Sequence, residues 1–147
     1  MAAGGAGKDE IIAHIKHRLE NHDVYFLVDT LKWLQKGGRI NMATVLVANL
    51  MDIHPLLCIR GGLVAGTDKI RGSKNLLKKF FKHYEAQGID LHGKDLVFIH
   101  SLPAERAAGV KAEMQAYFSP KSITEVTLGA TIGAHAGPGL TGLLCYR

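Results

Sequence analysis

The chain reads as an α/β domain, a mixed β-sheet packed with α-helices, on three observations. Short apolar runs such as Val24–Val28 and Asp95–His100 alternate with longer stretches whose apolar residues recur at helical spacing. Glycine and proline fall between these segments rather than inside them, as at Gly37-Gly38, Gly61-Gly62 and Ser119-Pro120. A length of 147 residues at 47% apolar content suits one folded core. Residues 1–8 read as a flexible N-terminus and residues 9–147 as one domain, with no internal repeat and no linker to divide them.

Asp9 is placed to cap a first helix running to about Asn21, with Ile11, Ile12, Ile15 and Leu19 on one side. Val24–Val28 follows, apolar throughout, as a central strand covered on both faces. Asp29 or Thr30 then caps a short helix carrying Leu31, Trp33 and Leu34, which Gly37 and Gly38 stop. Arg39 lies between that stop and a new helix opened by Asn41. A short, defined backbone on both sides suits a guanidinium aimed at an anion, or one that caps the preceding helix end. Met42–Leu50 is almost wholly apolar, so this helix is expected to be buried all round or to line something apolar.

Pro55–Arg60 and Leu63–Gly66 form a hairpin across Gly61-Gly62. A helix from about Ser73 to Gln87 presents Leu76, Leu77, Phe80, Phe81 and Tyr84 inward, with lysines opposite. After strand Asp95–His100, Ser101 is expected to cap a helix over Ala104–Phe118 with Ala107, Val110, Met114 and Phe118 on its inner side. Strand Ile123–Leu128 leads into a stretch holding Gly129, Gly133, Gly137, Pro138, Gly139 and Gly142, and a last strand runs from Leu143 to Tyr146. Pro138 and the glycines argue against a helix interior there. Its only ionisable side chain is His135. The stretch reads either as a backbone-lined pocket with His135 at its mouth, or as a tight crossing with a histidine satisfied by a carbonyl.

Composition narrows function. The net charge of +5 arises from 18 Lys and Arg against 13 Asp and Glu, with six of the positives between Lys69 and Lys82. That cluster lacks the patterns of nucleic-acid readers and is expected to be a solvated helix face, with no nucleic-acid partner. Cys58 and Cys145 lie in apolar runs without CxxC or metal-ligand spacing, and His14, His17 and His22 have no matching carboxylate or thiol, so no metal is expected. Two buried thiols and the lack of a signal peptide or membrane-length run point to the cytoplasm and to no membrane insertion. No GxGxxG, phosphate loop or GxSxG elbow is present, nor a marked acid, base and nucleophile set. The chain is therefore expected to bind rather than catalyse, with no cofactor.

Three stretches resemble the DegV family of bacterial lipid-binding proteins. LKWLQKGGRI at Leu31–Ile40 is similar to its "L..L.KGGRI". Residues Ile53–Gly72 are similar to its "KPIL" and "KvRg" region, and IGAHAGPGLTG at Ile132–Gly142 is similar to its "iG.HtGPGalG". The resemblance covers nearly all of residues 10–147 and corresponds to the second of the family's two α/β domains. It implies a long-chain fatty acid, or its acyl phosphate, as ligand, and a separate fatty-acid kinase as partner, with no phosphoryl transfer by the chain itself. It implies that Arg39 and His135 face the lipid head group, with Arg71, Gly137 and Gly139 in support. Ala43, Leu46, Val47 and Leu50 would form the tail wall. The first domain's serine and threonine, which hold the carboxylate, are not in this chain. His54 stands where the family has lysine, and Ala136 where it has threonine, which removes one hydroxyl from the head-group end. With half of a tunnel absent, a homodimer through the apolar face is the alternative: a structural or interaction module that no longer binds lipid.

Overall fold

The structure, a computed structural model, describes residues 1–40 and 53–147. The expected helix Met42–Leu50, with the tail-wall residues Ala43, Leu46, Val47 and Leu50, lies outside the described residues.

A six-stranded sheet organises the chain. Its strands are β1 (His22–Leu27), β2 (Ile53–Arg60), β3 (Leu63–Arg71), β4 (Asp95–His100), β5 (Ser122–Thr127) and β6 (Thr141–Tyr146), in the order β3-β2-β1-β6-β4-β5. All neighbours are antiparallel except β4 and β5, which makes the sheet mixed. The described α-helices are α1 (Lys8–Glu20), α2 (Lys32–Lys36), α3 (Leu76–Ala86), α4 (Ala104–Phe118) and α5 (Ala130–Ala136), preceded by a single 3₁₀ turn at Ala2–Gly4. Strand β1 is central, as its unbroken apolar run predicts.

Successive residues of a strand point to opposite faces, so the sheet has two distinct apolar sides. On the first, Tyr25, Leu27, Leu56, Cys58, Phe98, Leu143 and Cys145 meet Phe80, Phe81 and Tyr84 of α3 and Ala107, Val110, Met114 and Phe118 of α4. The four inward residues read from the spacing of α4 are all buried. Tyr84 is fully enclosed; its hydroxyl donates to Leu143 O and accepts from Tyr25 N–H at 3.1 Å. Burial pushes that hydroxyl's pKa well up. His83, on the same helix, is buried edge-on to Tyr25 with Nδ1 3.4 Å from Asp68, and its Nε2 has no partner among the described residues. Desolvation lowers its pKa, and Asp68 offsets only part of that.

On the second face, Phe26, Val28, Leu31, Leu34, Leu57, Ala136 and Leu140 form a smaller core beneath α2 and α5. Among the described residues these two short helices leave part of this face open, and that opening positions the site.

Several expectations change. Helix α1 begins at Lys8 after Gly7, without a side-chain cap from Asp9, and it buries no residue: Ile12, Ile15 and Leu19 are exposed. Helical spacing fixes which residues share a side, not whether a partner covers it. Helix α2 starts after Leu31; Thr30 Oγ1 accepts from Lys32 N–H, and Asp29 is engaged elsewhere. Strand β3 runs on to Arg71, beyond the expected Gly66, because pairing with β2 resumes past an irregularity at Leu56/Leu57. The glycine-rich stretch does contain a helix, α5. Its breakers fall at the ends: Gly129 precedes the first turn, Gly137 ends the last, and Pro138 lies outside. Only Gly133 is internal, at a cost of about 1 kcal/mol relative to alanine.

Candidate ligand groove

An apolar groove of about 430 Å³ opens on the second sheet face. The side chains of its floor come from four strands: Val24 and Phe26 of β1, Ile59 of β2, Val64 of β3 and Ile99 of β4. Leu34, Leu128, Ile132, Ala136 and Leu140 wall one end. Gly142 of β6 belongs to the same floor; a Cβ there would stand 3.2 Å from Phe26 Cβ. The volume falls in the range of small-molecule sites, and the lining is apolar with few polar groups, as such sites are built.

The two polar side chains with ionisable character in this lining are Arg39 and His135, so the structure brings both expected head-group residues to one cavity. Arg39 follows the end of α2, where its N–H bonds Leu34 O at 2.9 Å. Its Nη1 also donates to Gly37 O at 2.9 Å, so the guanidinium does cap the helix end while lining the groove. His135 is in the last turn of α5. A Cβ placed on Gly37 would stand 2.3 Å from His135 Nδ1, so the imidazole rests directly on the Gly37 backbone. Gly37 thus couples the two groups: its carbonyl holds Arg39, and its bare Cα admits His135.

Gly137 and Gly139 do not form a backbone-lined pocket. Each is packed under a side chain. Trp33 covers Gly137, where an added Cβ would lie 2.2 Å from its Cδ1, and Asp29 covers Gly139, where one would lie 2.0 Å from Oδ2. Gly139 also adopts φ +87°, in the left-handed region that disfavours a side chain. Asp29 is held in turn by Arg106 at 3.4 Å. Ser101 is not a helix cap either: α4 follows Pro103 with no side-chain cap bond. The Ser101 hydroxyl instead donates to Gly137 O at 2.8 Å and accepts from Leu140 N–H at 3.0 Å.

Arg71 does not line the groove. It is at the far end of β3 from Leu63 and Val64, a separation of roughly 25 Å along an extended strand. Its carbonyl accepts from Lys79 Nζ at 2.6 Å. His54 lines a separate hollow with Ser73 and Asp29. Among the described residues, no group of His, Cys, Asp or Glu could hold a metal, and no helix is long and apolar enough to cross a membrane. The floor residues Phe26, Ile59 and Ile99, and the roles of Ser101, Asp29 and Trp33, are not visible in the sequence. Strand alternation marks the floor residues as sharing a face only once the strand order is known.

The fold and groove together define a class: a mixed-sheet α/β domain with one sheet face packed by helices and, among the described residues, an apolar groove on the other, edged by an arginine and a histidine. The chain belongs to the DegV family, whose model, described as that of an uncharacterised protein, matches residues 1–147. A DegV domain-containing protein of Deinococcus radiodurans is 30% identical over 145 residues, covering 97% of this chain and 51% of that protein. A solved structure reporting fatty acid binding of a DegV family protein from Thermus thermophilus is similar at TM-score 0.81 and 26% identity, over 99% of this chain and 52% of that one. DegV from Bacillus subtilis, a fatty acid binding protein, is similar at TM-score 0.74 and 25% identity, over 99% and 52%. The chain spans about half the length of the curated relatives it matches.

Proposed function

We propose that this chain binds a long-chain fatty acid in the groove, with the carboxylate toward Arg39 and His135 and the tail along Phe26, Ile59, Val64 and Ile99. The observation that carries the reading is the meeting of those two polar groups on one otherwise apolar cavity. The fatty-acid binding of the Thermus and Bacillus relatives supports it. Tail burial supplies about 0.8 kcal/mol per CH₂, so apolar contact dominates affinity. Arg39 offsets the carboxylate charge, His135 donates a hydrogen bond, and together they orient the lipid and disfavour neutral ones. Ala43, Leu46, Val47 and Leu50 add tail wall, and Gly137 and Gly139 support the head-group end only indirectly, through the turn that follows His135. The chain acts as the second-domain half of a DegV-type protein, cytoplasmic and non-catalytic, and presents the lipid carboxylate to a separate fatty-acid kinase.

Native mass spectrometry of the purified chain, followed by organic extraction, tests the reading. The expected result is a mass increment of one C14–C18 fatty acid, reduced in Arg39→Ala. A chain that takes up no fatty acid, even with a complementary first domain added, overturns it. A second reading rests on α1, whose Ile12, Ile15 and Leu19 are exposed. On that reading the apolar face closes against a second copy and lipid binding is lost. It requires a lipid-free dimer, and sedimentation as a monomer at high concentration refutes it.

A further inference from the structure

We propose that Ser101 is the positioning residue of the head-group end, which through the Gly137–Leu140 turn aims the His135 imidazole and so sets selectivity for a carboxylate. The proposal rests on the head-group reading of Arg39 and His135.

The turn after α5 has few ways to satisfy its backbone. Pro138 has no N–H, and Gly137 N–H is spent on Gly133 O at 2.8 Å. Its remaining bonds converge on one residue. Ser101 Oγ donates to Gly137 O at 2.8 Å and accepts from Leu140 N–H at 3.0 Å. Ser101 O accepts from Gly139 N–H at 3.3 Å, and Ser101 N–H donates to Leu140 O at 3.1 Å. A hydroxyl is the short side chain that can donate and accept at a single atom, which is what the first two bonds require.

Ser101 is itself held firmly at the end of β4. His100 Nδ1 accepts from Leu102 N–H at 3.2 Å, which leaves the ring proton on Nε2 to donate to Glu125 Oε1 at 3.2 Å. The hydroxyl therefore projects from a fixed strand end into the turn. Helix α5 has only seven residues, Ala130–Ala136, too few to be stable without tertiary anchors. His135 lies two residues before the pinned Gly137 carbonyl, with its ring against Gly37. Releasing that carbonyl frees the last turn of α5 to rotate, and the imidazole turns with it, while the groove floor on β1, β2 and β4 is untouched. Ser101 thus acts chiefly on the head-group end, and on the tail only through the wall residues Ala136 and Leu140.

The test compares Ser101→Ala, Ser101→Thr and Ser101→Val in the full chain. Thr keeps the hydroxyl, and Val has the same shape without it. One readout is amide exchange at Gly139 and Leu140, with Leu143 in β6 as internal reference. The other is the ratio of affinities for palmitic acid and hexadecanol, which share a tail and differ in head group. Ala and Val are expected to speed Leu140 exchange at least about tenfold and to lower the acid-over-alcohol ratio about tenfold, with any loss of alcohol affinity much smaller than the loss for the acid; Thr restores both. If Ala does not fold, the Thr–Val pair carries the comparison. Wild-type-like exchange and ratio in Ala and Val overturn the Ser101 role, as does equal loss for acid and alcohol. A wild-type chain that holds acid no better than alcohol instead removes the head-group reading on which the role rests.

Discussion

Replacing Ile132 with serine separates the groove's ligand function from the stability of the fold. Ile132 is on α5 at the groove wall and is 59% exposed. Burying a whole isoleucine side chain is worth about 2–3 kcal/mol, so a lipid tail that covers the exposed part gains roughly 1–2 kcal/mol from this residue. Ile132→Ser forfeits that contact, and fatty-acid affinity is expected to fall about 5- to 30-fold. Folding stability moves by no more than about 0.5 kcal/mol, because the side chain contributes little to the folded core. Leu19→Ser is the control. Leu19 is 67% exposed, equally apolar, and borders a separate hollow with Arg18 and Tyr146. Its substitution leaves affinity unchanged. Calorimetric titration with palmitate gives the affinities, and urea denaturation gives the stabilities. Equal weakening in both variants, or none in Ile132→Ser, refutes the placement of the tail.

Tyr84→Phe removes the hydroxyl that joins Tyr25 N–H to Leu143 O inside the core; a loss of about 1–3 kcal/mol is expected, read as a lower urea midpoint at unchanged slope. His83 has its pKa lowered by burial from the ordinary 6.5, so below that value the unfolded chain binds more protons than the folded one. Stability therefore falls as the pH drops from neutral through about 6.5 and below, and His83→Gln flattens that part of the profile, as urea midpoints between about pH 8 and 5 report. Gly37→Ala is compatible with the backbone at φ −77° but puts a Cβ 2.3 Å from His135 Nδ1. It is expected to displace the imidazole, cost about 1–3 kcal/mol, and erase the preference for palmitic acid over hexadecanol, which a competition assay measures.

The sequence by itself determined the alternation of strands and helices, because local periodicity and turn chemistry act within a few residues. The four inward positions of α4 and the hairpin at Gly61-Gly62 are read from spacing alone. Arg39 stood out by its place just after the Gly37-Gly38 helix stop, and His135 as the only ionisable side chain of its glycine-rich stretch. Tertiary structure decided the rest. Helix α5 forms within a stretch rich in breakers, because those breakers fall at its ends and α2 packs beside it. Helix α1 keeps its apolar side exposed, because nothing among the described residues covers it. Ser101 precedes a helix yet bonds a turn almost forty positions along the chain, and Arg71 lies in a motif beside the groove strands yet at their far end. The physical reason is common to all four. Side-chain spacing specifies a face or an end of an element, while what meets that face depends on strand order, and strand order is fixed by pairings between residues far apart in the chain.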